Sequence, residues 1–151
     1  MKKSVIIKDL QEMLASELLS EEVKYIDKDW GQLTMEQPPV GWPCILIDIE
    51  DVQVMPLNDG NEKNTATIVL TVANKRTVSS SSRAPRASKE KSYDTLDLTD
   101  TIHALVQNYR AQGAEYSPLR QTSFYKTNDL PGAEVYTMRY VTHYNNALNE
   151  I

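Results

Sequence analysis

The first stretch of the chain places apolar side chains at the spacing of one helical face. This stripe lies within residues 4–20, and the other side of the same segment carries Lys8, Asp9 and Glu12. The positions at the spacing of the stripe are Ile6, Ile7, Leu10, Met13, Leu14, Glu17 and Leu18. A helix with one apolar face packs that face against another element. The sequence therefore predicts an amphipathic N-terminal helix.

Later stretches alternate apolar and polar positions with the period of a β-strand. The predicted strands cover residues 23–27, 44–55, 65–73, 119–127 and 134–144. In the second of them Ile45, Ile47 and Ile49 share one face, and the alternation changes phase at Glu50 and Asp51. One extra residue on one strand has this effect, so we predict a β-bulge there.

The second and third predicted strands are joined by a turn-rich connector that contains Asp59 and Gly60, which favours a hairpin. A second helix is predicted over residues 93–112, with Asp94 or Asp97 as the capping residue and Gly113 as its end. Its apolar stripe consists of Leu98, Ile102, Leu105, Val106 and Tyr109.

The predicted order is α-β-β-β-α-β-β, which indicates an α+β fold. The simplest arrangement is a mainly antiparallel sheet with both helices packed on one face. A chain of 151 residues with 40% hydrophobic residues has the length and apolar content of one domain, so we expect residues 1–151 to form a single domain.

Residues 75–92 differ in composition from the rest of the chain. They contain a row of serines and one acid, Glu90, together with six basic residues: Lys75, Arg76, Arg83, Arg86, Lys89 and Lys91. The net charge of the chain is −5, so the remainder is strongly acidic. With no apolar period, the segment is predicted to be a flexible basic loop or arm.

This basic segment is open to three interpretations: a solvated linker, an arm that docks on protein, and a contact to nucleic acid. Lys and Arg are the residues that bind phosphate. However, no aromatic residue for base stacking is interleaved among them, and the chain as a whole is acidic. We therefore do not expect nucleic acid as the partner, and the linker and the docking arm remain.

Two tryptophans, Trp30 and Trp42, flank a loop rich in proline, residues 37–43. Prolines lack a backbone donor, so regular structure is not expected until Pro43. Tryptophans beside such a loop either cap the core or anchor an interface with another protein. The sequence leaves both roles open.

No catalytic, cofactor-binding or metal-ligating residue is predicted. His103 and His143 are the only histidines, and neither belongs to a metal-binding or catalytic spacing. The acids Asp48, Glu50 and Asp51 form the densest acidic group but do not match a calcium-binding loop. Glycine-rich phosphate-binding patterns are also missing. We expect that this protein is not an enzyme; a hydrolase that uses these acids is a third hypothesis beside the two given below.

The single cysteine, Cys44, lies in an apolar run, where a thiol usually behaves as a small buried hydrophobic group. It forms no disulfide within the chain. The basic start, Met1 to Lys3, is not followed by the apolar region of a secretion signal, and no run is long enough to cross a bilayer. We expect a protein made in the cytoplasm, without a membrane partner.

The order and size of these elements resemble those of bacteriophage tail-terminator and minor tail proteins. The stretches that carry the resemblance are residues 6–18, 43–54, 65–73, 98–109 and 134–144, and no signature motif accompanies them. The resemblance implies a structural subunit that forms a homo-oligomeric ring at the end of a tail tube. It also implies docking on tail-tube and head-completion proteins in head-tail joining. After assembly the protein would be part of the virion or tail particle.

In that family an extended loop often lies between the central hairpin and the second helix, the position that residues 75–92 occupy here. A head-to-tail contact between a basic arm and an acidic body closes into a ring when the rotation permits it. The alternative is a small bacterial adaptor or protein-binding module that uses the loop from Pro38 to Pro43 and its tryptophans.

Overall fold

The computed structural model describes residues 1–19 and 22–147. The helices are α1 (Ser4–Leu18), α2 (Arg86–Lys91) and α3 (Asp94–Val106), and a short 3-10 turn covers Gln32–Thr34. The strands are β1 (Tyr25–Lys28), β2 (Cys44–Pro56), β3 (Asn61–Lys75), β4 (Arg120–Thr127) and β5 (Ala133–Ala147). The end predicted for the first helix, Ser20, lies outside the described residues.

The strands form a five-stranded sheet in the order β1-β2-β3-β5-β4. The pairs β2 with β3, β3 with β5 and β4 with β5 are antiparallel, whereas β1 pairs with the start of β2 in parallel. The β2–β3 hairpin is long because nearly every residue from Cys44 to Pro56 has a partner in β3. Strand β4 lies at one edge of the sheet, and β1 lies at the other.

Helices α1 and α3 contribute to the main core on one face of the sheet. Their buried side chains recur every three or four residues, which is the spacing of one helical face. The helical part of this core consists of Ile6, Leu10, Leu14, Leu18, Leu98, Ile102 and Val106. The sheet contributes alternate residues, including Ile45, Ile47, Ile68, Leu70, Val72, Met138 and Tyr140. This arrangement confirms the predicted α+β fold.

The opposite face of the sheet is covered by the chain at one end. There the segment after β1 and the proline loop pack on a second, smaller apolar cluster. Its buried members are Cys44, Leu46, Ala73 and Val135, and Tyr25, Leu33, Val40, Trp42, Leu130 and Ala133 pack against them. Further along the strands this face carries half-buried Thr, Val and Arg side chains. We call it the open face.

Several details of the sequence prediction are confirmed. The register of β2 shifts between Ile49 and Asp51, so the bulge is located where the alternation changes phase. Alternate residues of β5 from Tyr136 to Tyr144 are buried on the helix-covered face. The parallel pairing of β1 differs from the simplest hairpin arrangement, because a long loop separates β1 from β2.

The predicted end of the second helix is wrong. Helix α3 ends at Val106, and Gln107 already has an extended backbone with ψ of 126°. The Asn108 N–H donates to the Leu119 carbonyl at 2.8 Å, and the Leu119 N–H donates to the Tyr109 carbonyl at 3.0 Å. These bonds join the chain after the helix to the segment that leads into β4. Tertiary hydrogen bonds therefore replace the helical bonds that the pattern up to residue 112 predicted.

The start of that helix also differs from the prediction. Residue Tyr93 occupies the N-cap position, and no side chain forms a capping hydrogen bond there. Asp94 and Asp97 instead lie in the first turn, where a carboxylate interacts favourably with the helix dipole.

Candidate interaction surfaces

The basic segment, residues 75–92, folds back on itself and contains α2, a helix that the sequence pattern did not indicate. The Arg76 N–H donates to the Gly132 carbonyl at 2.9 Å, which holds the start of the segment beside the β4–β5 turn. The Ser88 hydroxyl donates to the Ser79 carbonyl at 3.0 Å. A compact turn of helix thus stands where we predicted a loop or an extended arm. Its flexibility stays a prediction.

The cations of this segment point outward, and most of them face solvent. Five of the six are exposed, and Lys89 is half-buried. Among the described residues the one ion pair that involves them is internal: Arg86 Nε lies 3.1 Å from Glu90 Oε1, one helical turn away. Lys75 Nζ lies 5.7 Å from the centroid of the Trp42 ring, a cation–π contact. The acids of the rest of the described chain therefore leave this positive charge unpaired.

The two tryptophans have different environments. Trp42 is half-buried and packs on the apolar cluster of the open face. Trp30 is 55% exposed, and its indole Nε1 donates to Asp27 Oδ2 at 3.2 Å. Trp42 thus caps the core, and Trp30 is the one whose ring is presented to solvent. The sequence could not separate these roles, because both residues flank the same loop.

The acidic group of β2 does not converge on one point. Glu50 forms a bidentate pair with Arg139 of β5, with distances of 2.5 Å from Nε to Oε2 and 2.9 Å from Nη2 to Oε1. These hydrogen bonds from Arg139 lower the pKa of the Glu50 carboxyl below its ordinary value. Asp48 and Asp51 are exposed. No cluster of three or more His, Cys, Asp or Glu side chains able to hold a metal ion occurs in residues 1–19 and 22–147.

Arg139 also connects the centre of the open face to strand β4. Its guanidinium carbon lies 4.9 Å from the centroid of the Tyr125 ring. Hydrogen bonding to Glu50 first, and then to Tyr125, raises the pKa of the guanidinium, which stays charged. The bulge positions Glu50 for this contact, because Glu50 is the extra residue of β2 between Ile49 and Asp51. The set Glu50, Arg139 and Tyr125 spans the sheet from β2 to β4.

Neither histidine lies in a catalytic arrangement within the described part of the chain. His103 Nδ1 lies 2.8 Å from the Tyr140 hydroxyl, and the two rings are stacked with centroids 5.9 Å apart. His143 Nδ1 lies 3.0 Å from the Thr65 hydroxyl at the exposed end of the sheet. Each histidine therefore contributes a structural hydrogen bond.

Cys44 is fully buried at the start of β2, as its apolar surroundings in the sequence predicted. Burial raises the pKa of its thiol to about 12. A neutral thiol is a poor nucleophile, so this environment is that of a core residue.

Two segments of the sheet have no strand beside them, and sequence reasoning did not find them. Strand β1 covers only Cys44–Ile47 of β2, so the rest of β2 has β3 on one side and no described strand on the other. Strand β4 is likewise paired on one side only. Alternation shows which face a residue occupies, but the neighbours of a strand are decided by the fold. No signal in the sequence marked these edges.

No helix in residues 1–19 and 22–147 has the length and apolar character required to cross a membrane. No protein-family model and no curated protein sequence matches this chain.

Proposed function

We propose that this chain is a structural subunit of a phage or phage-like tail, of the tail-terminator type. It acts by self-association into a ring and by docking on tail-tube and head-completion proteins. The proposal assigns no catalytic step to the protein. Its support comes from the order of elements, from the charge distribution and from the exposed surfaces described above.

The observation that carries the proposal is the unpaired charge of the basic segment. Arg76, Arg83, Arg86 and Lys91 are exposed, and the only ion pair found among the described residues of the segment joins two of its own members. A charge that stays solvated within one subunit is available for a second molecule. The acidic remainder of the chain supplies the complementary surface, so one copy can attract the next in a head-to-tail sense.

The rest of the surface is consistent with a role in assembly. The open face carries half-buried threonines and valines beside the Glu50–Arg139 pair, and it contains no converging set of nucleophile, acid and base among the described residues. Four of the exposed large apolar side chains lie on strands β2 and β4: Val54, Met55, Phe124 and Tyr125. Exposed side chains of this kind are typical of protein interfaces.

The test is the mass of the protein in solution. We expect native mass spectrometry and light scattering to show oligomers whose population falls with rising salt, because exposed charges are screened. The triple variant Arg83→Glu, Arg86→Glu and Lys91→Glu should shift the population toward monomer. Its matched control is Lys2→Glu, Lys3→Glu and Lys8→Glu, which changes the net charge equally at exposed positions of the N-terminal region. A strict monomer that stays monomeric when tail-tube subunits are added overturns the proposal.

The second candidate function is a small adaptor that binds a protein through the proline loop. Exposed Trp30 and Met35, at 55% and 48%, favour it because they present apolar surface next to this loop. Trp42 does not support it, since this ring packs on the chain's own sheet. Neighbouring genes discriminate the two: capsid, portal and tape-measure genes support the tail protein, and their absence supports the adaptor.

A further inference from the structure

We infer that the outer edge of β2 in one copy pairs with the outer edge of β4 in the next copy, so that the sheet continues from subunit to subunit. The binding partner of each edge is thus a second copy of this chain. This inference rests on the self-association proposed above and adds a pair of strand edges to the basic segment as the surfaces in contact.

The first argument is the unused hydrogen-bonding capacity of both edges. Beyond Ile47, β2 extends to Pro56 with no described strand on its outer side, and β4 has β5 on one side alone. The unpaired backbone groups of an edge strand bind another strand readily. Side chains occupy one position on each edge: Asp48 accepts from the Ile49 N–H at 2.9 Å, and Gln107 accepts from the Gln121 N–H at 2.9 Å. The parts left open are therefore residues 50–56 and residues 122–127.

The second argument is strand direction. Three antiparallel steps lead from β2 through β3 and β5 to β4, so β2 and β4 run in opposite directions within one subunit. When a second copy is rotated about an axis that runs along the strands, its β2 comes to lie antiparallel to β4 of the first. Head-to-tail repetition of that step either closes into a ring or continues as a filament. The topology thus permits ordinary antiparallel hydrogen bonding between β4 of one copy and β2 of the next, a contact that we call the edge joint.

The third argument is charge. Within the open parts, β2 carries exposed Asp51 and β4 carries exposed Lys126. Asp48 and Arg120, also exposed, lie two residues before the open part of their own strand. Charged residues on an edge usually oppose pairing between sheets. Here they oppose the pairing of like edges, because β2 against β2 brings acids together and β4 against β4 brings cations together. Pairing of β2 with β4 brings opposite charges together and is attractive. The charges therefore favour the head-to-tail edge joint over a twofold dimer.

The fourth argument is the placement of the apolar side chains. Val54 and Phe124 are 51% and 44% exposed, and both lie on the helix-covered side of the sheet, since their partners are Asn64 and Met138 of the buried rows. Met55 and Tyr125 are 53% and 40% exposed on the open side. Each edge thus presents one large apolar side chain on each face. Pairing of the edges removes apolar surface of these four side chains from water.

The decisive experiment is disulfide cross-linking between two singly substituted proteins, Val54→Cys and Phe124→Cys. After mild oxidation of an equimolar mixture, we expect a mixed dimer on a non-reducing gel, formed at least about 10-fold faster than in the control mixture, because the joint holds the thiols at a high effective concentration. The control mixture combines Leu57→Cys with Leu96→Cys, two exposed positions off these edge segments. The wild-type protein, whose only cysteine is buried Cys44, gives the background.

The outcomes separate the two proposals. Oligomers in light scattering without preferential cross-linking of the mixture overturn the edge joint and leave self-association standing. Cross-links formed equally well by one variant alone overturn the head-to-tail sense, because they report pairing of like edges. A monomer with no preferential cross-link overturns both.

Charge reversal gives an independent test. The variant Asp48→Lys with Asp51→Lys makes both edges basic, and the variant Arg120→Glu with Lys126→Glu makes both acidic. We expect each variant alone to be monomeric and their equimolar mixture to assemble, since each then offers an edge complementary to the other. Circular dichroism and a thermal melt check that both variants fold. Failure of the mixture to assemble, with both variants folded and wild type oligomeric, overturns the charge argument and the joint with it.

Discussion

The guanidinium of Arg139 binds the carboxylate of Glu50 with two hydrogen bonds across the open face of the sheet. The two residues lie on β5 and β2, with β3 between them. The contact depends on the bulge, because Glu50 is the residue that has no partner in the register with β3. A local irregularity of one strand thus supports a bond that crosses the sheet.

We predict that Glu50→Gln destabilises the protein by about 1 kcal/mol or less at neutral pH. Both side chains are partly exposed, at 25% for Arg139 and 44% for Glu50, so solvent weakens the pair. A double-mutant cycle with Arg139→Gln, measured by urea denaturation, isolates the coupling. The control is Asp51→Asn, the next residue of the strand, which should change stability little. A coupling energy well above about 1 kcal/mol would contradict the prediction.

The same pair predicts a pH dependence. Because the pKa of Glu50 is lowered in the folded state, its contribution to stability is present above its ordinary value of 4.5 and is lost as the pH falls through the lowered folded value. The difference in unfolding free energy between wild type and Glu50→Gln should therefore shrink in acid. Urea denaturation at a series of pH values measures this difference. A difference that grows on acidification would contradict the lowered pKa of Glu50 in the folded protein.

Substitutions on the buried and exposed faces of α3 should differ in their effect on stability. We predict that Ile102→Ala destabilises the protein by about 2–5 kcal/mol, because the side chain is fully buried against the sheet and its removal leaves a cavity. Leu96→Ala on the same helix is the control, since Leu96 is 39% exposed. Its effect should stay within about 1 kcal/mol. Denaturant unfolding measures the free energy of unfolding of each variant. An equal decrease in the two variants would contradict the burial of Ile102 and the exposure of Leu96.

The single cysteine reports on folding. With the pKa of Cys44 raised to about 12 by burial, we predict almost no reaction with a thiol reagent near pH 8 while the protein is folded. Denaturant should expose the thiol and permit complete labelling. Intact mass spectrometry over time measures the extent. Rapid labelling of the native protein would contradict the burial of this position.

The two tryptophans should behave differently when each is replaced. Trp42→Ala should cost about 2 kcal/mol, less than a fully buried tryptophan, because its ring is half-buried on the apolar cluster. Trp30→Ala should remove most of the fluorescence that iodide quenches, since Trp30 is 55% exposed, and should affect stability less. Thermal melts and quenching titrations on both variants measure these effects. Stronger quenching of Trp42 than of Trp30 would reverse the assignment.

Much of the fold could be predicted from the sequence because local pattern and burial agree. The alternation of Ile45, Ile47 and Ile49 shows one face of a strand, and its change of phase locates the bulge. The end of the second helix could not be predicted in this way. Its helical pattern continues to Tyr109, but the hydrogen bonds between this segment and Leu119 end the helix earlier. Such bonds join residues distant in sequence and leave no periodic signal.

The sequence by itself determined the two long helices and the five strands, their buried faces and the separation of a basic segment from an acidic remainder, but not α2 or the end of α3. Hydrophobic periodicity and charge are properties of local stretches, which is why they could be predicted. Only the tertiary structure decided that Trp42 packs inward while Trp30 stays exposed, that Glu50 meets Arg139, and that β2 and β4 present unpaired edges of opposite charge. These relationships depend on which strands become neighbours, and strand order is set by the packing of the whole chain.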